Sequence, residues 1–368
     1  MEYFFDDVLE IKNGKNQKAV ENPTGQYPIY GSGGVMGYAD DYICDADTVI
    51  IGRKGSINNP IYVAEPFWNV DTAFGLSAKK EYLLPRYLFY FCKKFDFEKL
   101  NKTVTIPSLT KSDLLKIKID LPSKEEQQNV VNKLTKIEKV IDFRRQELSA
   151  LDELIKARFV EMFGNPLDKA KANKFFVECV EFNPKKSEIK DLQDETVSFV
   201  PMECVGVDGS FSVKEDGLVQ DYYKGYTYFR DGDVLLAKIT PCFENGKVAI
   251  ADKCTNGIGF GTTEFHVSRP LDGVSNSYWI KYLLKNDNVH DLATINMTGS
   301  AGQKRIQTSF FEKLRIYLPP IEEQEQFADF VKQVDKSKFE DLEDEKYFLF
   351  CIKKILYIRG YNGIKNRH

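Results

Sequence analysis

The chain has no apolar run approaching the roughly 18 residues that a membrane-spanning helix needs. Its opening stretch MEYFFDDVLEIK carries acids where a secretory leader carries bases, so a cytoplasmic address and no membrane partner are expected. No CxxC pair occurs. The seven cysteines are odd in number and scattered from Cys44 to Cys351, which argues against a disulfide framework and a zinc site and predicts reduced, mostly buried thiols. Histidine is scarce: His266, His290 and His368 have no cysteine or carboxylate at ligand spacing, and the first two are expected as hydrogen-bonded structural residues. No GxxxxGK phosphate loop is present, which argues against nucleotide hydrolysis by this chain. An excess of one charge is also missing. With 51 Lys and Arg against 55 Asp and Glu, the net charge is -4, so any nucleic-acid surface has to be local.

Three partial motifs fall short of an active site. Gly31-Ser32-Gly33-Gly34 follows a short apolar run without a helix behind it and reads as a turn, not a cofactor loop. Asn165-Pro166 lacks the second proline and the aromatic of an amino-methyltransferase motif. Asp7, Glu10 and Lys12 have the order of a metal-dependent nuclease but are packed too tightly for separate strands to present them. No catalytic residue and no metal ligand is therefore expected.

What is present is length, core-forming composition and internal repetition. At roughly 100 to 200 residues per domain, 368 residues imply two or three domains, and 42% hydrophobic residues can fill their cores. Ile119-Asp120-Leu121-Pro122-Ser123-Lys124-Glu125-Glu126-Gln127 recurs as Ile316-Tyr317-Leu318-Pro319-Pro320-Ile321-Glu322-Glu323-Gln324. Shorter matches follow in the same order, among them Asp47-Thr48-Val49-Ile50-Ile51 with Asp233-Val234-Leu235-Leu236-Ala237. Slowly rising offsets between them are what loop insertions in a duplicated unit produce. Each unit carries short β-branched and aromatic runs separated by Gly, Pro, Asn and Asp, which read as strands and turns, and residues 85–99 and 277–292 read as helices on that sheet. The fold class is α+β.

Each L-P-x-x-E-E-Q segment is a helix start, with proline before the first turn and acids in it. The first helix falls in 123–163 and, counted from Lys124 to Met162, would be about 58 Å long at roughly 1.5 Å per residue. Its apolar seam runs through Val130, Leu134, Ile137, Ile141, Leu148, Leu151 and Ile155, interrupted by Arg144 and Arg158 and ending at Met162. The same register in a second helix, 320–358, gives Phe327, Val331, Val334, Phe348, Ile352 and Ile355, with Lys338, Asp341 and Glu345 breaking its middle. Two such helices are expected to pair, most simply antiparallel. The domain plan is then 1–122, the helix 123–163, a linker 164–174, a second domain 175–319, the helix 320–358 and a tail 359–368.

Loops suited to nucleic acid supply the candidate site. Residues 79–118 hold ten Lys and Arg against four Asp and Glu. Arg53, Lys54, Ser56 and Asn58 put two cations, a hydroxyl and an amide near glycines, beside the turn bearing Tyr30 and Ser32, with Lys111 following. The corresponding positions of the second unit are Lys238, Thr240, Asn245 and Lys247, then Ser300, Gln303, Lys304 and Arg305. Ordinary surface and DNA contact both remain open for any one loop.

With these residues in view, nearly the whole chain resembles the specificity subunit of a type I restriction-modification system. The most specific segments are PIYGSGGVMGY (28–38), IGRKGSI (51–57), IPSLTK (106–111) and both helix starts. The resemblance implies two similar mixed α/β target-recognition domains joined by two long antiparallel coiled-coil helices, related by a pseudo-two-fold repeat. It also implies that each domain reads one half of a split double-stranded DNA target while the helices set the gap and dock two methyltransferase subunits. Restriction subunits would complete the assembly, and S-adenosylmethionine and ATP with magnesium would reside on those partners, with no cofactor on this chain. The alternatives are a divergent fused methyltransferase or endonuclease with its own site, and a DNA-independent helical scaffold.

Overall fold

The structure is a computed structural model and describes residues 1–101, 107–300 and 302–338. These residues form two compact units that divide between Arg144 and Arg145.

In the first unit the strands are Glu2–Phe4 (β1), Leu9–Asn13 (β2), Tyr27–Gly31 (β3), Gly34–Ala39 (β4), Thr48–Gly52 (β5), Ile61–Val63 (β6), Trp68–Asn69 (β7), Ala73–Ala78 (β8) and Lys118–Asp120 (β9). Helices Phe5–Val8 (α1), Pro85–Lys94 (α2) and Lys111–Leu115 (α3) precede the long helix Lys124–Phe163 (α4). The main sheet has the order β2-β8-β5-β6 and is antiparallel throughout. TVIIG in β5 is buried at every position, as an uninterrupted apolar run with a neighbour on each side predicts. A second sheet, β4-β3-β7, pairs β3 with β7 in parallel, and β1 pairs with β9.

The second unit begins with Lys174–Phe175 (β10), Val180–Phe182 (β11), Thr196–Val200 (β12), Glu215–Leu218 (β13) and Val219–Tyr222 (α5). Thr227–Arg230 (β14), Val234–Ala237 (β15), Val248–Ile250 (β16), Ile258–Gly261 (β17) and Phe265–Pro270 (β18) follow. Then come Ser277–Leu284 (α6), Asp287–Ile295 (α7), Thr308–Lys313 (α8), Arg315–Ile316 (β19) and a helix over 321–338, here α9. The sheet order β11-β18-β15-β16 repeats that of the first unit strand for strand. The other large sheet, β13-β12-β17-β14, again contains one parallel pair, β12 with β17. Even the small sheets match: β10 pairs with β19 as β1 pairs with β9.

The two expected sheet-packing helices are shorter than their periodicity suggests. In 85–99, α2 stops at Lys94, and Asp96 caps a separate turn, Phe97–Leu100, by accepting from the Glu98 N–H. In 277–292, Asn286 accepts from the Asn288 N–H and starts α7 as a new helix. In both, a short polar side chain competes for the backbone and ends the run.

The apolar seam of α4 also has a different destination along its length. Leu134 and Ile137 are buried in the first unit's core, and Val130 and Ile141 pack against it. Tyr90 of α2 reaches across to Thr135 and donates to Glu138 at 2.7 Å. The seam expected to lie against a partner helix therefore completes a globular core here. Further on, Leu148 and Leu151 are half-buried, Leu151 against the second unit's core, and Ile155, Phe159 and Phe163 lie within that core. The buried positions step by four, where the heptad reading placed Arg158 and Met162. A straight helix facing one core drifts off a strict 3.5-residue repeat. The helix expected as a module of its own is thus shared between the two units, each half filling the core beside it.

Within the second unit α9 packs on the end of α4. Phe327, Val331 and Val334 are buried, and the Phe327 ring lies 5.4 Å from that of Phe159 and 5.6 Å from that of Phe163. Lys338, which breaks the seam, donates to Asp152 at 2.6 Å. Rising numbers on α9 thus meet falling numbers on α4, so the two segments run antiparallel. Phe348, Ile352 and Ile355, with the tail 359–368, lie outside the described residues. The stretch 164–174 is tethered: Asn173 both donates to and accepts from the backbone of Leu318, and Tyr317 N–H donates to Pro166.

Candidate nucleic-acid interface

Two loops meet at the end of β5 in the first unit. Arg53 N–H donates to Thr72 O at 2.7 Å, Gly55 N–H to Pro107 O at 3.1 Å and Leu109 N–H to Arg53 O at 2.9 Å. Lys54 pairs with Ser108 as an isolated bridge. Gly52 is required here, because a Cβ would meet Ser56 O at 2.3 Å. The Ser32 Cβ lies 3.1 Å from the same position, so the β3–β4 turn adjoins the cationic loop. Arg53, Lys54 and Ser56 are exposed. The Arg53 guanidinium touches Asp71 O at 3.4 Å and lies 6.0 Å from the Phe74 ring centroid, whereas the Lys54 amine has no acceptor among the described residues.

The second unit builds the same junction after β15. Thr240 N–H donates to Lys304 O at 3.0 Å, Ile306 N–H to Lys238 O at 2.9 Å, and Ile239 bridges to Arg305. The Thr240 hydroxyl accepts from Lys304 N–H at 3.0 Å, which locks the two loops together. The Thr240–Pro241 peptide is cis. Lys304, Gln303, Ser300 and Asn245 are exposed, and Lys238 is half-buried beside Glu264 and His266.

Other residues expected at the interface have work inside the fold. Asn58 donates to Asp96 and accepts from Phe97 N–H at 2.7 Å, holding the turn after α2. Lys111 donates to Ile11 O at 2.7 Å, and Lys247 to Met202 O at 3.0 Å. Arg305 spends its fork on Glu264, at 2.8 and 3.0 Å, and holds that carboxyl below its ordinary value. Tyr30 stacks edge-on against Phe67 at 5.4 Å, and burial raises its hydroxyl above the usual tyrosine range. Loop composition alone does not separate a cation facing solvent from one facing a carbonyl three or four ångströms away.

His266 bonds Ile306 O at 3.0 Å, and burial pushes its pKa down to about 4. His290 bonds Phe243 O and stacks on that ring at 5.0 Å. Among the described residues no group of His, Cys, Asp and Glu is placed to hold a metal, and six cysteines are free thiols. No helix among them is long and apolar enough to cross a membrane.

The repeated helix-start motif contains two residues whose role sequence reasoning missed. Gln127 is buried, accepts from Leu84 N–H at 2.9 Å and donates to Tyr82 O and Pro122 O. Gln324 is buried, accepts from Asn276 N–H at 3.1 Å and donates to Val274 O and Pro319 O. Leu84 and Asn276 are the residues just before α2 and α6. Each glutamine ties the start of its long helix to the start of the helix on the preceding sheet. The signal was the glutamine's recurrence beside the acids.

The chain is thus two like α+β units in tandem, each exposing a stitched pair of loops with outward cations. The model of the type I restriction modification DNA specificity domain matches residues 1–153 and again 177–347, and the chain belongs to that family. It is similar to the specificity subunits of two type I restriction enzymes of Escherichia coli. With EcoAI it shares 46% identity over 149 residues, 39% of this chain and 24% of that subunit. With EcoEI the figures are 46% over 151 residues, 40% and 25%. The match thus spans about a quarter of the length of these relatives. In fold the chain is like the crystal structure of a type I restriction-modification S subunit from M. genitalium, with a TM-score of 0.54, 16% identity and 97% and 94% of the two chains covered. A structure from work on complex assembly and conformational transition of the type I R-M system gives 0.53 at 16%, covering 97% and 96%.

Proposed function

We propose that this chain is the DNA sequence-specificity subunit of a type I restriction-modification complex and carries no reactive centre of its own. Each unit reads one half of a bipartite duplex target. The observation that carries the reading is the junction built twice: residues 53–56 stitched to 107–109, and 238–241 stitched to 304–306. Short hydrogen-bonded loops of this kind hold their backbones still while leaving Arg53, Lys54, Lys238 and Lys304 at the surface, which suits phosphate positioning with polar neighbours left to meet base edges.

The long helices set the separation of the half-sites and dock two methyltransferase subunits, with restriction subunits joining the complete assembly. S-adenosylmethionine, ATP and magnesium belong to those partners. The antiparallel packing of α9 on the end of α4 supports a paired-helix spacer. A pseudo-two-fold relation between the units is supported by the equal strand order of their main sheets. The tethered loops and the family's name favour this reading over a DNA-independent scaffold.

Retention of the full chain on duplex DNA tests it. Reversing the exposed Arg53, Lys54 and Lys304 to Glu abolishes retention while thermal melting stays unchanged. Equal retention by the reversed protein supports the scaffold, and methylation or metal-dependent nicking by the lone chain supports a fused enzyme.

A further inference from the structure

The β3–β4 hairpin of the first unit holds apolar side chains that neither core uses. Val35, Met36 and Tyr38 are 53%, 63% and 47% exposed. β4 is an edge strand, where exposed apolar residues invite unwanted pairing. The register explains why Met36 stands apart: Ile29 pairs with Gly37 and Tyr30 with Val35, so Met36 is the extra residue of a β-bulge. A bulge re-aims the side chain it carries. Around it the backbone is cleared of side chains. A Cβ on Gly31 would meet the Met36 sulfur at 2.7 Å, while Gly34, at φ +124°, has open space on its Cβ side.

This apolar tip adjoins the cationic loop. Val70 N–H donates to Tyr30 O, Arg53 N–H donates to Thr72 O, and Ser32 lies against Gly52, so the hairpin and the 53–56 loop are joined through a single turn. Here the apolar tip sits beside Arg53 and Lys54, a pairing that suits a duplex: cations on the backbone, an unbranched, polarizable side chain between base steps.

We propose that Met36, seconded by Val35, is an apolar wedge that enters between adjacent base pairs of the first half-site and partly unstacks them. The inference rests on the DNA reading above and adds deformation of the duplex to it. Specificity at that step would then come from how easily the step opens, not from hydrogen bonds to its bases.

The test uses the full chain and a duplex selected with it from a random pool, carrying 2-aminopurine at successive positions. Native protein and Met36→Leu raise the fluorescence at one step, as loss of stacking does. Met36→Ser still binds the duplex but loses that rise, and its thermal melting is unchanged because the side chain lies outside the core. If the native chain binds with no position unstacked, or Met36→Ser unstacks the same step, the wedge is wrong and the DNA reading stands. If no duplex is selected at all, the DNA reading itself fails and the wedge with it. Should Met36→Ser instead change the mass seen by light scattering with DNA binding and fluorescence unaltered, the hairpin is a protein contact and the proposal is overturned.

Discussion

Single side chains decide which polar residues of this protein face outward. The cations fall into two groups with opposite expected phenotypes. If the proposed DNA reading holds, changing Lys54 or Lys304 to Gln removes about one phosphate contact each, so the slope of log affinity against log salt falls by roughly 0.9 per substitution with melting unaltered. Changing Lys111 or Arg305 to Ala strips a partner from Ile11 O or Glu264 and lowers the melting temperature first. The buried glutamines behave differently again. Gln127→Ala leaves Leu84 N–H, Tyr82 O and Pro122 O without partners and costs about 3 kcal/mol in urea unfolding of the first unit. Gln127→Glu is no remedy, because a carboxylate cannot donate to the two carbonyls. His266 sets a pH dependence. Its folded pKa of about 4 lies below the unfolded value near 6.5, so the unfolded chain binds the proton first and stability falls as pH drops from 6.5 toward 4. A loss of up to about 3 kcal/mol is expected from this group, and His266→Gln flattens that part of the urea-stability profile. Much of this scale was illegible in the sequence. The loops were found, but whether Asn58 or Lys247 turns outward depends on a carbonyl or carboxylate supplied from far along the chain.

Secondary-structure elements were more legible, because periodicity and capping residues act locally. The TVIIG and VLLA runs are central strands, and L-P-x-x-E-E-Q starts a long helix at Lys124. What periodicity could not say was what the helix packs against. Leu134 and Ile155 satisfy a heptad pattern whether the partner is a helix or a domain core, and the choice rests on sheet faces brought in from elsewhere. Phe159→Ala tests the assignment: it opens a cavity among Phe163, Phe327 and its neighbours and costs about 3–5 kcal/mol, detected as a loss of stability in the second unit. Val140→Ala, at a position 45% exposed on the same helix, costs under about 0.5 kcal/mol.

For the whole molecule the duplication is the organising fact. The strand order of the main sheet, the loop junction and the buried glutamine recur in both units, which suits the proposed target with two half-sites. Four residues inserted between Arg144 and Arg145 would lengthen α4 by about 6 Å, and at about 3.4 Å per base pair the gap in the target should grow by one or two pairs with the half-sites unchanged. The most direct measurement is methylation mapping of a genome in cells that carry this chain with type I methyltransferase partners. The expected result is one bipartite sequence with a fixed gap, absent when either the chain or the methyltransferase is missing. Modification of the same sites with the chain deleted, or by the chain without its partners, would contradict the account.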